Sequence, residues 1–120
     1  MLFLTYDQIL ELHESILIPA NPRGQSEERV RAIMGNIAGG IGEQLFHTTV
    51  LEAGNAYLYY FARDQAFVKG NKRTAVITCS TFLDVNGVIL AAPIDTAVVW
   101  SIGKGQMTKD ESLAYLNTIT

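Results

Sequence analysis

The run Gln65-Ala66-Phe67-Val68-Lys69-Gly70-Asn71-Lys72-Arg73-Thr74-Ala75 gathers the side chains of this protein best suited to handling an anion. A glycine, an asparagine and three cations lead into a stretch with helical periodicity. Flexible backbone and several donors therefore fall at a helix N-terminus, where free N–H groups and the macrodipole favour negative charge. Phosphate is the ligand this chemistry suits. The segment is not a P-loop, because the Gly-x-x-x-x-Gly-Lys-Ser/Thr spacing and a preceding strand are both missing. No His, Asp or Glu lies between Gln65 and Arg73, so the loop lacks the acid–base groups that phosphoryl transfer normally uses.

Other titratable groups offer little to the loop. Asp64 adjoins Gln65, but a one-residue shift points it elsewhere. His47 falls in a loop and is expected at the surface. His13 sits on an apolar face and is expected as a satisfied core histidine. Cys79, the only cysteine, lies in an apolar-periodic stretch and is expected as a buried small hydrophobe. A lone cysteine excludes an intrachain disulfide and favours a reducing, cytosolic compartment. The formal net charge of −3 argues against nucleic-acid binding, which normally shows a basic stripe. The cations are grouped instead: Arg23, Arg29 and Arg31 in one set, Arg63, Lys69, Lys72 and Arg73 in another.

The elements that must position the loop read as helices. Thr5 and Gln8 form a capping box, followed by Tyr6, Ile9, Leu10, His13, Ile16 and Leu17 along one face. Pro19 and Pro22 with Asn21 and Gly24 stop that helix. Ser26 caps a second, with Glu27 and Glu28 in its first turn and Val30, Ile33, Met34 and Ile37 inward; Gly39, Gly40 and Gly42 break it. A third runs from Thr49 to Arg63, with Leu51, Gly54, Leu58, Phe61 and Ala62 inward and Tyr57, Tyr59 and Tyr60 partly buried. Gly54 costs roughly 1 kcal/mol against Ala in a helix interior and allows a neighbouring helix to approach closely. A fourth follows the loop and ends at Asn86-Gly87. Val88-Ile89-Leu90 is a short extended piece. Asp95 to Ile102 is a short helix, and Thr108 with Glu111 caps a last one. With 120 residues, 48% of them hydrophobic, the chain reads as one compact all-α domain of six helices spanning residues 1–120. No segment is apolar enough for a membrane span and no leader is expected, which points to a soluble, cytoplasmic protein.

The run Phe67-x-x-Gly70-Asn71-Lys72-Arg73-Thr74-Ala75 closely resembles the signature of the Fic/Doc (Fido) superfamily, in its death-on-curing toxin branch, whose usual form is His-Pro-Phe-x-Asp/Asn-Gly-Asn-Lys-Arg-Thr-Ala. Leu12-His13-Glu14, the aromatic-rich helix before the loop, Phe82-Leu83 with Asn86-Gly87, and Gly103-x-Gly105 with Thr108 match that branch as well. The resemblance implies a helical domain that binds a nucleoside triphosphate such as ATP and moves AMP or phosphate onto a protein hydroxyl. For the Doc branch it implies a threonine of elongation factor Tu as target. It also implies an antitoxin partner whose amphipathic C-terminal segment folds into a groove, expected here beside the first two helices.

Carried over by position, Lys72 and Arg73 would hold nucleotide phosphates, with Lys69 beside them. Gly70 and Asn71 would supply backbone N–H groups, Asn71 would also bind phosphate or orient the loop, and Phe67 would anchor the loop in the core. Two positions depart from the pattern. Gln65 stands at the catalytic histidine and Lys69 at the metal-binding residue. A carboxamide has no useful basicity near neutral pH, and a lysine ammonium has no lone pair for Mg²⁺. Transferase activity is therefore expected to be weakened or lost, and the alternative is a catalytically silent module that binds a nucleotide or a protein. No metal ligand is assigned.

Overall fold

Side-chain caps set where most of the helices begin. The computed structural model describes residues 1–120, arranged as α1 (Tyr6–Ser15), α2 (Glu27–Ala38), β1 (Gly40–Ile41), β2 (Gln44–Leu45), α3 (Val50–Arg63), α4 (Asn71–Val85), α5 (Thr96–Gly103) and α6 (Lys109–Thr118). Thr5 with Gln8 and Thr108 with Glu111 both form complete capping boxes. Ser26, Thr49 and Asp95 each accept a backbone N–H of the first turn that follows, satisfying donors a helix start leaves open. The expected all-α architecture is the one adopted. The single addition is a two-stranded hairpin pairing Gly40 with Leu45 and Ile41 with Gln44. The glycines read as helix breakers also build this hairpin: Gly42 turns at φ +61°, and a Cβ on Gly40 would collide with the Gln44 carbonyl.

α3 is the central helix. It packs most extensively on α4 and also meets α2, α5 and α6, while α1 lies on α4 and α2. A cluster of 22 buried hydrophobic residues takes side chains from all six helices and from Ala66 and Phe67 in the α3–α4 loop. Tyr57, expected to be partly buried, is fully so at 2%. Its hydroxyl accepts from Leu4 N at 2.9 Å, and burial pushes that phenol up to about 12. Asn55 and Ser112 form a buried polar link between α3 and α6. Ser112 Oγ donates to Asn55 Oδ1 at 2.7 Å, and Asn55 Nδ2 donates to the Lys109 carbonyl at 3.0 Å. Val88-Ile89-Leu90, expected as a short extended piece, forms no strand. No helix is long and apolar enough to cross a membrane.

His47 corrects the sequence expectation: it is buried, at 3% exposure. The ring reaches back to the end of α2, where Nδ1 lies 2.9 Å from the Ile37 carbonyl. A carbonyl only accepts, so Nδ1 carries the proton and Nε2 is left as a buried nitrogen without a partner. Burial holds this imidazole below its ordinary value of 6.5, and nearby Lys109 pushes the same way, against the Ile37 carbonyl and Glu52.

Gly54 faces Leu83 of α4. A Cβ there would lie 2.8 Å from Leu83 Cγ and closer still to a Leu83 methyl, well inside van der Waals contact, and Leu83 is fully buried, so it has no room to yield. Gly54→Ala is expected to destabilise by about 1–3 kcal/mol through overpacking, despite alanine's better helix propensity; a lower melting temperature in a thermal unfolding scan checks this. For His47, the unfolded chain binds a proton near 6.5 that the folded chain resists, so its contribution is complete above that pH. It is lost as pH falls from there through the lowered folded value. Denaturant midpoints at about pH 7.5 and about pH 5.5 should differ in that sense, and the difference should shrink in His47→Gln.

Candidate functional site

The loop between α3 and α4 is closed from within by one carboxamide. Asn71 Oδ1 accepts from Phe67 N at 3.0 Å, and Asn71 Nδ2 donates to the Phe67 carbonyl at 2.9 Å. Of the two sequence roles for Asn71, its side chain therefore serves the loop. Phe67 is buried, as expected, and its ring stacks on His13 with centroids 3.9 Å apart. His13 Nε2 lies 2.8 Å from the Lys69 carbonyl, so that nitrogen must be the donor and the histidine is satisfied. From the other side, Ser26 N donates to the Ala66 carbonyl at 2.8 Å and Val68 N to the Gly24 carbonyl at 3.0 Å. Gly24 to Ser26 thus straps the loop down in a short antiparallel bridge.

Gly70 is the N-cap of α4, left-handed at φ +85°. It has no side chain to cap with, and Asn71 is already engaged, so α4 has no side-chain cap. The backbone N–H groups of Gly70, Asn71, Lys72 and Arg73 find no acceptor within the chain, while Thr74 N is the first to bond back, to Gly70 O. Four donors consequently point out of a helix start, the arrangement that suits an anion. A Cβ on Gly70 would strike Ile16 Cδ1 at 2.5 Å, so the end of α1 also requires glycine here.

These donors open into a groove of about 1000 Å³ between the end of α1, the loop, the start of α4 and α5. Gln65, Lys69, Gly70, Asn71, Lys72 and Arg73 all line it, so the residues singled out in sequence are brought together. Gln65 is exposed and holds a left-handed φ of +39°, the only non-glycine to do so; its carbonyl lies 3.4 Å from Arg29 Nη1. Asp64 forms a bidentate pair with Arg63 and does not line the groove.

Sequence reasoning missed the apolar wall: Trp100 and Val99 from α5, Val76 and Ile77 from α4, and Ile94. Trp100 is half exposed, and the Lys72 ammonium sits 4.1 Å from its ring centroid. A lone tryptophan in an apolar helix gave no sign of lying opposite Lys72. An apolar groove is expected beside the first two helices, where a cavity opens along α1 and the loop that follows it. The cavity on that side, about 310 Å³, has one hydrophobic residue, Leu10, among charged and polar ones. The apolar-walled groove is the one at the loop.

Electrostatically the groove is one-sided. Arg23, Arg31 and Arg63 pair with Glu14, Glu27 and Asp64; Lys69, Lys72 and Arg73 have no carboxylate partner. No Asp, Glu or His lines the groove. Its side-chain oxygens come only from Asn21, Gln65, Asn71 and Thr96, and that of Asn71 is occupied. This donor set does not fit Mg²⁺, which is normally bound by protein through carboxylates. Cys79 is fully buried, with its thiol pushed up to about 12 by desolvation, so it provides no nucleophile.

A model of the Fic/DOC family matches residues 3–83, from the approach to α1 through most of α4. One curated relative, Toxin Doc of Mycolicibacterium smegmatis, is 55% identical over 40 residues. That similarity spans 33% of this chain and 31% of the relative.

Asn71 and Arg73 are expected to separate structure from binding. Asn71→Ala removes both loop-closing bonds and should cost about 1–3 kcal/mol of stability. Arg73 is exposed and bonded to nothing, so Arg73→Ala should leave the unfolding midpoint unchanged while weakening pyrophosphate binding by about 1.5–3 kcal/mol. Calorimetric titration beside denaturant unfolding checks both.

Proposed function

The chain belongs to the Fic/DOC family, and we propose that it is a Doc-like toxin whose groove holds the phosphates of a nucleotide. The observation behind this is the meeting, in one groove, of four free N–H groups with three uncompensated cations and no carboxylate. ATP is the donor that the family suggests. Its phosphates would lie against the N–H groups of Gly70 to Arg73 and the side chains of Lys69, Lys72 and Arg73. The half-exposed face of Trp100 offers its base a stacking surface. The partner on this reading is an antitoxin with an amphipathic C-terminal segment. The target is a protein hydroxyl, on family grounds one on elongation factor Tu, and the compartment is the cytoplasm.

The chemistry is the transfer of phosphate or AMP. A target hydroxyl oxygen bonds to the γ- or α-phosphorus, ADP or pyrophosphate leaves, and the hydroxyl proton must go to a base. At the position where that base belongs, Gln65 presents a carboxamide, which takes no proton near neutral pH. Losing a positioned base costs about 10²–10⁴-fold in rate, so activity is weak or lost.

A second reading, a silent domain that regulates by occupancy, is favoured by one observation. Both histidines are buried and neither lines the groove, with His13 Nε2 held by the Lys69 carbonyl and His47 Nδ1 by the Ile37 carbonyl, so neither replaces the missing base.

Restoring the family residues tests transfer directly. Gln65→His combined with Lys69→Asp should raise transfer of labelled phosphate or AMP from ATP to extract proteins by about 10²–10⁴-fold, with growth arrest on expression. Either single change should recover less. A double variant that folds and binds ATP yet labels nothing would leave the occupancy reading in place of the transferase.

A further inference from the structure

We propose that the groove takes its nucleotide as the free anion, without a divalent cation, and that Lys69 supplies the positive charge a metal would otherwise bring. This rests on the nucleotide-binding reading above and specifies the ionic form of the ligand.

The donor set comes first. A divalent cation would enter a groove with no carboxylate and three positive side chains, so it would meet repulsion without ligands of its own. The charge balance comes second. Lys69, Lys72 and Arg73 are free of acid partners, whereas Arg23, Arg31 and Arg63 are each paired. A triphosphate carrying its whole negative charge gains more from three such cations than one partly neutralised by metal.

The placement of Lys72 is the third observation. Its ammonium rests over the Trp100 ring, 4.1 Å from the centroid, and Lys104 Nζ lies 5.6 Å from the same ring. Cation–π contact at an exposed indole is a modest attraction, weaker than a charge-assisted bond to phosphate. An arriving phosphate can therefore draw Lys72 off the indole, which then becomes available to a flat aromatic base. Lys69 needs no such exchange, because it is exposed and its side chain is bonded to nothing.

Trp100 is the only tryptophan in the chain, so its emission reports the groove. The full chain is titrated with ATP in EDTA and with ATP in excess Mg²⁺, at matched ionic strength, following emission and, in parallel, heat. ATP in EDTA should bind saturably, and excess Mg²⁺ should weaken binding by about tenfold. Lys69→Ala, an exposed change that should leave folding intact, should weaken binding in EDTA by about threefold to tenfold and narrow the gap between the two forms. Lys69→Asp should reverse their order. If the wild-type chain binds ATP with Mg²⁺ as tightly as without it, or more tightly, the metal-free inference fails and the nucleotide reading stands. An unchanged affinity in Lys69→Ala would likewise remove Lys69 from the role given to it. If ATP binds in neither condition, the nucleotide reading itself falls, and this inference with it.

Discussion

The site depends on one carboxamide being committed to the loop. Asn71 is the first residue of α4, where a short polar side chain usually serves backbone nearby. Here both ends of its amide close the loop over Phe67, and Gly70 before it has nothing to cap with. The five other helices have side-chain caps; α4 does not. The same contact that fixes the loop thus leaves the helix start open to an external acceptor. His13, Phe67 and the Gly24–Ser26 strap hold that geometry, and α3 with α4 forms the base on which it stands.

Charge reinforces the opening. The protein is acidic overall at −3, yet its carboxylates are kept out of the groove. Glu14, Glu27 and Asp64 sit against arginines elsewhere, leaving a local positive field over a wall of Val76, Ile77, Val99 and Trp100. A groove with cations at one end and apolar surface along its side suits a ligand with a charged tail and a flat apolar head.

Local signals were legible in the sequence, and distant ones were not. The caps at Thr5, Ser26 and Thr108 are short-range chemistry, and each marked its helix start correctly; Thr49 and Asp95, read only as helix bounds, prove to be caps as well. Gly54 was readable as a point of close approach because glycine inside a helix needs a packing reason. The 65–75 run carried its own site because its groups lie within a few residues of one another. The hairpin escaped because its strands are two residues each, too short for alternation to show. His47 escaped because its partner is a backbone carbonyl ten residues earlier, invisible to side-chain pattern. Trp100 escaped because its place opposite Lys72 is set by how α5 packs against α3 and α4.

The strap and the His13 contact have a consequence for assembly of the fold. The loop is fixed by bonds from Ser26 to Ala66, from Val68 to Gly24 and from His13 to Lys69, each joining segments about 40 or more residues apart along the chain. None can form from local structure, because closing such long intervals is entropically costly until the intervening helices have packed. The open donors of α4 therefore become a receptor only in the completed fold. An anion held there binds the native chain and not its partly folded forms, so occupancy draws the folding equilibrium toward the native state in proportion to ligand concentration. In a small acidic helical protein, the groups proposed to hold the ligand would then also be a source of native-state stability whenever it is present.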